Sequence, residues 1–120
     1  MSSTISIEVP QSALFKVFES DSIHQGMTHD APGGARLELG RMPMEKRHLP
    51  EFQALATVLV SFGGGVAVNM FSSWLYERLK SDKVSQAMKV TKIRINRTEV
   101  EINADAITRV ITETIDIEQK

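Results

Sequence analysis

Residues 52–76 read FQALATVLVSFGGGVAVNMFSSWLY, and the fold turns on how this run is read. From Phe52 to Tyr76 no side chain carries a charge, over 25 positions. A helix needs about 20 apolar residues to span a bilayer core, so the run is long enough for one. Trp74 and Tyr76 stand at its polar end, where interfacial aromatics sit. Against a span stand Gln53, Asn69 and the hydroxyls of Ser61, Ser72 and Ser73. Basic residues flank both ends, Lys46 and Arg47 before and Arg78, Lys80 and Lys83 after, so charge sets no orientation. In the middle lies Gly63-Gly64-Gly65. Each glycine costs a water-exposed helix about 1 kcal/mol relative to alanine, so the triplet marks a break, a kink or a close backbone contact. The expectation is a long apolar helical segment over residues 51–80, interrupted at the glycines, with Pro50 as a favourable first helical residue.

The flanks decide between a span and a buried segment. On the N-terminal side Thr4 to Val9 alternates, with Ile5, Ile7 and Val9 against Ser6 and Glu8, which predicts a half-buried strand ended by Pro10. Ser12 is placed to cap a short helix to about Glu19, with Leu14, Phe15, Val17 and Phe18 as its stripe. Ser20 to Gly34 is polar, with Gly26, Pro32, Gly33 and Gly34, and reads as a loop. Arg36-Leu37-Glu38-Leu39 alternates again, and residues 41–49 form a basic connector. On the C-terminal side, Lys92 to Ile95 and Glu99 to Ile102 predict a hairpin. If Arg97-Thr98 is its loop, Ile95 faces Val100; if Asn96-Arg97 is, Ile93 faces Val100 and Arg94 faces Glu99. Asn103 or Asp105 then caps a last helix whose Ile107, Val110, Ile111 and Ile115 make one stripe. A span would leave each half of the chain as a piece of about 40–50 residues, too small for a stable core of its own. Both halves carry one-sided elements that want a common core. A single sheet built from both, with the apolar segment packed over it, satisfies them.

Composition narrows the function. The chain has 120 residues, 42% of them hydrophobic and 24% charged, which fits one globular domain over residues 1–120. Fourteen basic residues against fifteen acidic ones leave a net charge of −1, with no excess of positive charge for a phosphate backbone, so no nucleic-acid partner is expected. Cysteine is absent, which excludes disulfides, thiolate metal sites and cysteine nucleophiles. Met1-Ser2-Ser3-Thr4 lacks the basic start of a signal peptide, so the expected location is the cytoplasm, with membrane association through the apolar segment as the variant.

No catalytic constellation emerges. His24 and His29 with Asp30 lack the i, i+4 spacing and further ligands of a metal site. Gly63-Gly64-Gly65 is followed by no Gly-Lys-Ser/Thr, so it does not read as a phosphate loop. Glu99 and Glu101 share the solvated face of a hairpin and not a cleft. A pocket drawing together Asp21, His24, His29 or Asp30 would be the mark of an enzyme. No cofactor, metal or catalytic residue is expected.

One resemblance covers most of the chain. Glu51 through Val58, Leu59 and Val60 to Gly63-Gly64-Gly65, then Ser73-Trp74-Leu75-Tyr76-Glu77-Arg78, carries it, with Ile93 to Ile102 followed by Ala106-Ile107-Thr108-Arg109-Val110-Ile111. In element order and placement of small residues this resembles the effector-associated constant component family of small bacterial proteins. The resemblance implies a bacterial conflict system in which such a protein accompanies a separate effector. The chain departs from the family in its long loop at residues 20–34 and its isoleucine- and lysine-rich end.

The expectation is therefore an α+β domain, a small mixed sheet of about four strands in the order β-α-β-α-β-β-α with a long glycine-interrupted apolar helical segment. Its expected role is that of a non-enzymatic accessory or adaptor acting through protein–protein association. The partners would be an effector protein, a second copy of the chain or a membrane. Phe62, Gly63, Gly64, Gly65, Trp74 and Tyr76 would form the association surface. The alternative is a small membrane protein that oligomerises through a glycine-rich transmembrane helix.

Overall fold

The computed structural model describes residues 3–40, 55–62, 67–87 and 89–118. Strand β1 (Ser3–Pro10) leads through a 3-10 turn (Gln11–Ala13) into the short helix α1 (Leu14–Val17). Strands β2 (Thr28–Ala31), β3 (Ala35–Leu39) and β4 (Leu55–Phe62) follow, then helices α2 (Val68–Lys80) and α3 (Lys83–Ala87). Strands β5 (Lys92–Ile95) and β6 (Thr98–Glu101) precede the last helix, α4 (Ala104–Glu118). The protein is thus α+β. Among the described residues six strands form one sheet in the order β2-β3-β4-β1-β5-β6, and every pairing is antiparallel.

The sheet corrects the expectation of about four strands in a mixed sheet, and the uncharged run corrects it most. The run is not one long helix. Residues 55–62 form the interior strand β4, bonded to β3 on one side and β1 on the other, and the helix begins only at Val68. Alternation is the physical reason. Ala56, Val58, Val60 and Phe62 are buried, while Leu55, Thr57, Leu59 and Ser61 face the other way. β-branched residues at 57, 58 and 60 favour a strand. No described helix is long and apolar enough to cross a membrane. Gly63, Gly64 and Gly65 lie outside the described residues, as do the connector at 41–49 and Pro50.

The stretch Ser20 to Gly34, expected as a loop, contains β2. Asp and Ala are poor strand formers, and β2 exists because Pro32-Gly33-Gly34 turns it back on β3, with Ala31 opposite Ala35 and Thr28 opposite Glu38. Gly33 and Gly34 both take positive φ, 84° and 77°. Ser12 does not cap the first helix; no side-chain cap is made there, and its hydroxyl bonds elsewhere, as described below.

Both halves contribute to one core. Ile5, Ile7 and Val9 of β1 lie opposite Val60, Val58 and Ala56 of β4, and Ile7 also faces Ile95 of β5. These buried aliphatics receive Leu14 and Val17 of α1, Phe71, Leu75 and Leu79 of α2, and Ile107, Ile111 and Ile115 of α4. The hairpin takes the register with Asn96-Arg97 as its loop: Ile93 faces Val100, Arg94 faces Glu99 and Lys92 faces Glu101. Asn103 caps α4, its Oδ1 accepting the N–H groups of Asp105 (2.9 Å) and Ala106 (3.1 Å). The opposite face of the sheet shows Thr4, Arg36, Glu38, Leu59 and Arg94 to solvent.

Candidate functional site

α2 carries the two aromatic residues singled out by the sequence. Its inner stripe of Phe71, Leu75 and Leu79 is buried, so spacing places residues 70, 73 and 77 on the outer side, with 74, 78 and 81 along its edge. Met70 is 54% exposed, and Trp74 and Arg78 are half-buried between the two sides. Ser73, Trp74, Glu77, Arg78 and Ser81 line a shallow open groove of about 420 Å³.

Trp74 and Arg78 are held in place. The Trp74 ring lies 5.8 Å from that of Phe71, which meets Phe62 edge-on at 5.4 Å. Arg78 sits 5.6 Å from the Trp74 ring centroid, one helical turn further on, a cation–π arrangement. Its Nη2 also lies 2.6 Å from Oε2 of Glu19. Glu19 closes α1 in the left-handed conformation, φ 51°, and Ser20 N–H reaches back to the carbonyl of Phe15 at 3.3 Å. Glycine is the usual occupant of such a helix end. Here the carboxylate leads back to α2, and it also lies 3.8 Å from Nε2 of His29 on β2. One carboxylate thus joins the end of α1, the outermost strand β2 and the outer side of α2.

The six residues expected to form one association surface are not brought together as one. Phe62 is 2% exposed and belongs to the core. Trp74 and Tyr76, two positions apart, point to different sides of α2. Tyr76 lies beneath Lys80, whose Nζ is 5.5 Å from its ring, and lines a second groove with Leu79, Ser85, Val90 and Ile102. Gly63, Gly64 and Gly65 lie outside the described residues.

The polar candidates scatter. His29 faces the core side, its ring edge-on to Phe18 at 6.4 Å, whereas Asp30 lies on the other face opposite Arg36. Asp21 belongs to a groove of about 400 Å³ with Leu14, Phe15 and Ile23, and His24 is exposed. Among the described residues no three His, Asp or Glu side chains are placed to hold a metal ion.

Sequence reasoning missed a second polar cluster. Asp82 is only 4% exposed, and its Oδ2 accepts the hydroxyls of Ser12 (2.7 Å) and Ser85. Asp82 precedes α3, and its carbonyl accepts the N–H of Gln86 at 3.2 Å. An aspartate immediately before a helix start, a favoured capping residue type, was the available signal. The cluster ties α3 to the 3-10 turn after β1 and needs no ligand to explain it.

No protein-family model matches this chain, and no curated protein or solved structure matches it significantly.

Proposed function

We propose that this chain is a non-enzymatic accessory component of a bacterial defence or effector system, an adaptor that works by binding another protein. The observation that carries this reading is the outer side of α2, where Trp74 and Arg78 are fixed by Phe71 and Glu19. Tryptophan and arginine are the residues most often found at the energetic centre of protein interfaces, and side chains already held in place lose little entropy on binding. The reading also rests on the resemblance to effector-associated proteins carried by residues 51–78 and 93–111 of the sequence.

Co-expression of the tagged chain with the products of its neighbouring genes tests the reading. One of those products should co-purify in stoichiometric amount and be lost with Ser73→Arg, which places a long cation beside Trp74 at an exposed position. Retention of none of them would sink the adaptor role.

A further inference from the structure

We propose that the outer stripe of α2 pairs with the same stripe of a second copy of this chain, the two helices crossing antiparallel near Glu77 and Arg78. The inference rests on the association reading above and names a second occupant of the same surface, which excludes the other protein while the two copies are paired. Read from N- to C-terminus, the stripe offers a large ring at Trp74, then adjacent opposite charges at Glu77 and Arg78, then the small side chain of Ser81. A two-fold axis between positions 77 and 78 reverses that order in the partner. Trp74 then lies over Ser81 of the second copy, and Glu77 lies beside the second copy's Arg78. By symmetry each contact occurs twice. Large meets small and acid meets base throughout. A parallel arrangement would set ring on ring and like charge on like charge.

Two further observations favour this occupant. Ser81 Oγ donates to the carbonyl of Arg78 at 3.0 Å, which keeps its hydroxyl close to its own helix and leaves a shallow seat for a ring. Arg78, braced by Glu19 and Trp74, presents its guanidinium in a fixed place, so little side-chain freedom remains to be lost. A single crossing of two helices is small beside the roughly 1,600 Å² of a standard stable interface, so the expected dissociation constant is about 10–100 µM.

Sedimentation velocity from about 5 to about 500 µM protein reads the result over the range in which such a constant is populated. The wild-type chain should pass reversibly from monomer to dimer. Glu77→Arg and Arg78→Glu should each weaken the dimer by about tenfold or more, the scale of losing two charge pairs at one interface. An equimolar mixture of these two variants should restore it, because each acid again faces a base across the axis. Arg78→Glu also removes the partner of Glu19, so Ser81→Trp, at an exposed position, provides an independent block. A wild-type chain that stays monomeric throughout would overturn the proposal. So would a dimer indifferent to Glu77→Arg or Ser81→Trp, or a charge-swapped mixture that stays monomeric. A monomeric chain that still retains a neighbouring gene product removes the self-pairing and leaves the adaptor role standing.

Discussion

Oδ1 of Asn96 accepts the main-chain N–H of Ser6 at 2.8 Å, across 90 residues of sequence. Asn96 N–H in turn donates to the Ser6 carbonyl, also at 2.8 Å. Register makes Ser6 and Asn96 the next pair after Glu8–Arg94 and Ile7–Ile95. Asn96 has already turned into the left-handed region, φ 48°, so its side-chain oxygen takes the place a main-chain carbonyl would hold in the ladder. This bond accounts for the choice between the two hairpin registers, since only a loop at Asn96-Arg97 puts the amide against β1. Asn96→Ala should lower unfolding stability by about 1–2 kcal/mol, with Asn96→Asp, which keeps the acceptor, costing less. Urea denaturation of the two variants measures the difference.

Arg97, the second loop residue, has φ 72°, in a two-residue turn that favours glycine there. Arg97→Gly should therefore stabilise the protein by about 0.5–1 kcal/mol, against the usual cost of introducing glycine. Thermal unfolding would show the midpoint moving up.

Two glycines with similar φ should respond differently to alanine. Gly33 has φ 84°, and an added Cβ would lie 2.4 Å from the carbonyl oxygen of Ala67, whose N–H bonds to the Gly33 carbonyl at 3.0 Å. Gly26 has φ 91° with open space around it. Gly33→Ala should cost about 2–4 kcal/mol and Gly26→Ala about 1 kcal/mol, because only the first adds a clash with the start of α2 to the backbone strain. Chemical denaturation of the pair checks the ordering.

Asp82→Ala leaves the hydroxyls of Ser12 and Ser85 without their shared acceptor in a buried site. The expected loss is about 1–3 kcal/mol, and Asp82→Asn, which retains an acceptor oxygen, should recover much of it. Equilibrium unfolding of both variants decides. Faster hydrogen exchange in α3 and at Gln11–Ala13 should accompany the loss in Asp82→Ala.

Phe71 joins Phe62 in the core to Trp74 on the outer side of α2. Phe71→Ala should cost about 3–5 kcal/mol through the cavity it leaves. It should also loosen Trp74, seen as a red shift of the indole fluorescence in the still-folded protein.

The sequence was most legible where one face is buried and the other is charged. β1, β3 and the β5–β6 hairpin alternate aliphatic and ionic side chains, and α4 repeats Ile107, Ile111 and Ile115 at helical spacing beneath an Asn103 cap. Where the open face carries no ionic residue, that contrast vanishes. Leu55, Thr57, Leu59 and Ser61 on the second face of β4 are all uncharged, and α2 begins with Val68-Asn69-Met70-Phe71 before its first ionic residue, Glu77. Strand and helix run together as one apolar stretch, and length then favours the wrong reading. β2 is the opposite case: its four residues gain their structure from the Pro32-Gly33-Gly34 turn and from β3, and almost none from their own propensity.

At the candidate site, Trp74 could be named from its place at the end of the apolar run. Its partners could not. Glu19 reaches Arg78 because a non-glycine residue holds a left-handed helix end, and neither residue type nor spacing announces that. Phe62 and Tyr76 look like surface candidates in a linear string, and the three-dimensional arrangement sends one inward and the other to a different side.

The position of β1 has a consequence for biosynthesis. It lies between β4 and β5, whose first residues are Leu55 and Lys92. A ribosome delivers β1 early and both of its neighbours late, so the nascent chain carries a greasy ribbon with two unsatisfied borders until most of the polypeptide has emerged. Productive folding must wait for the hairpin that closes the second border, and chaperone capture of this first ribbon during translation is the hazard that such wiring brings.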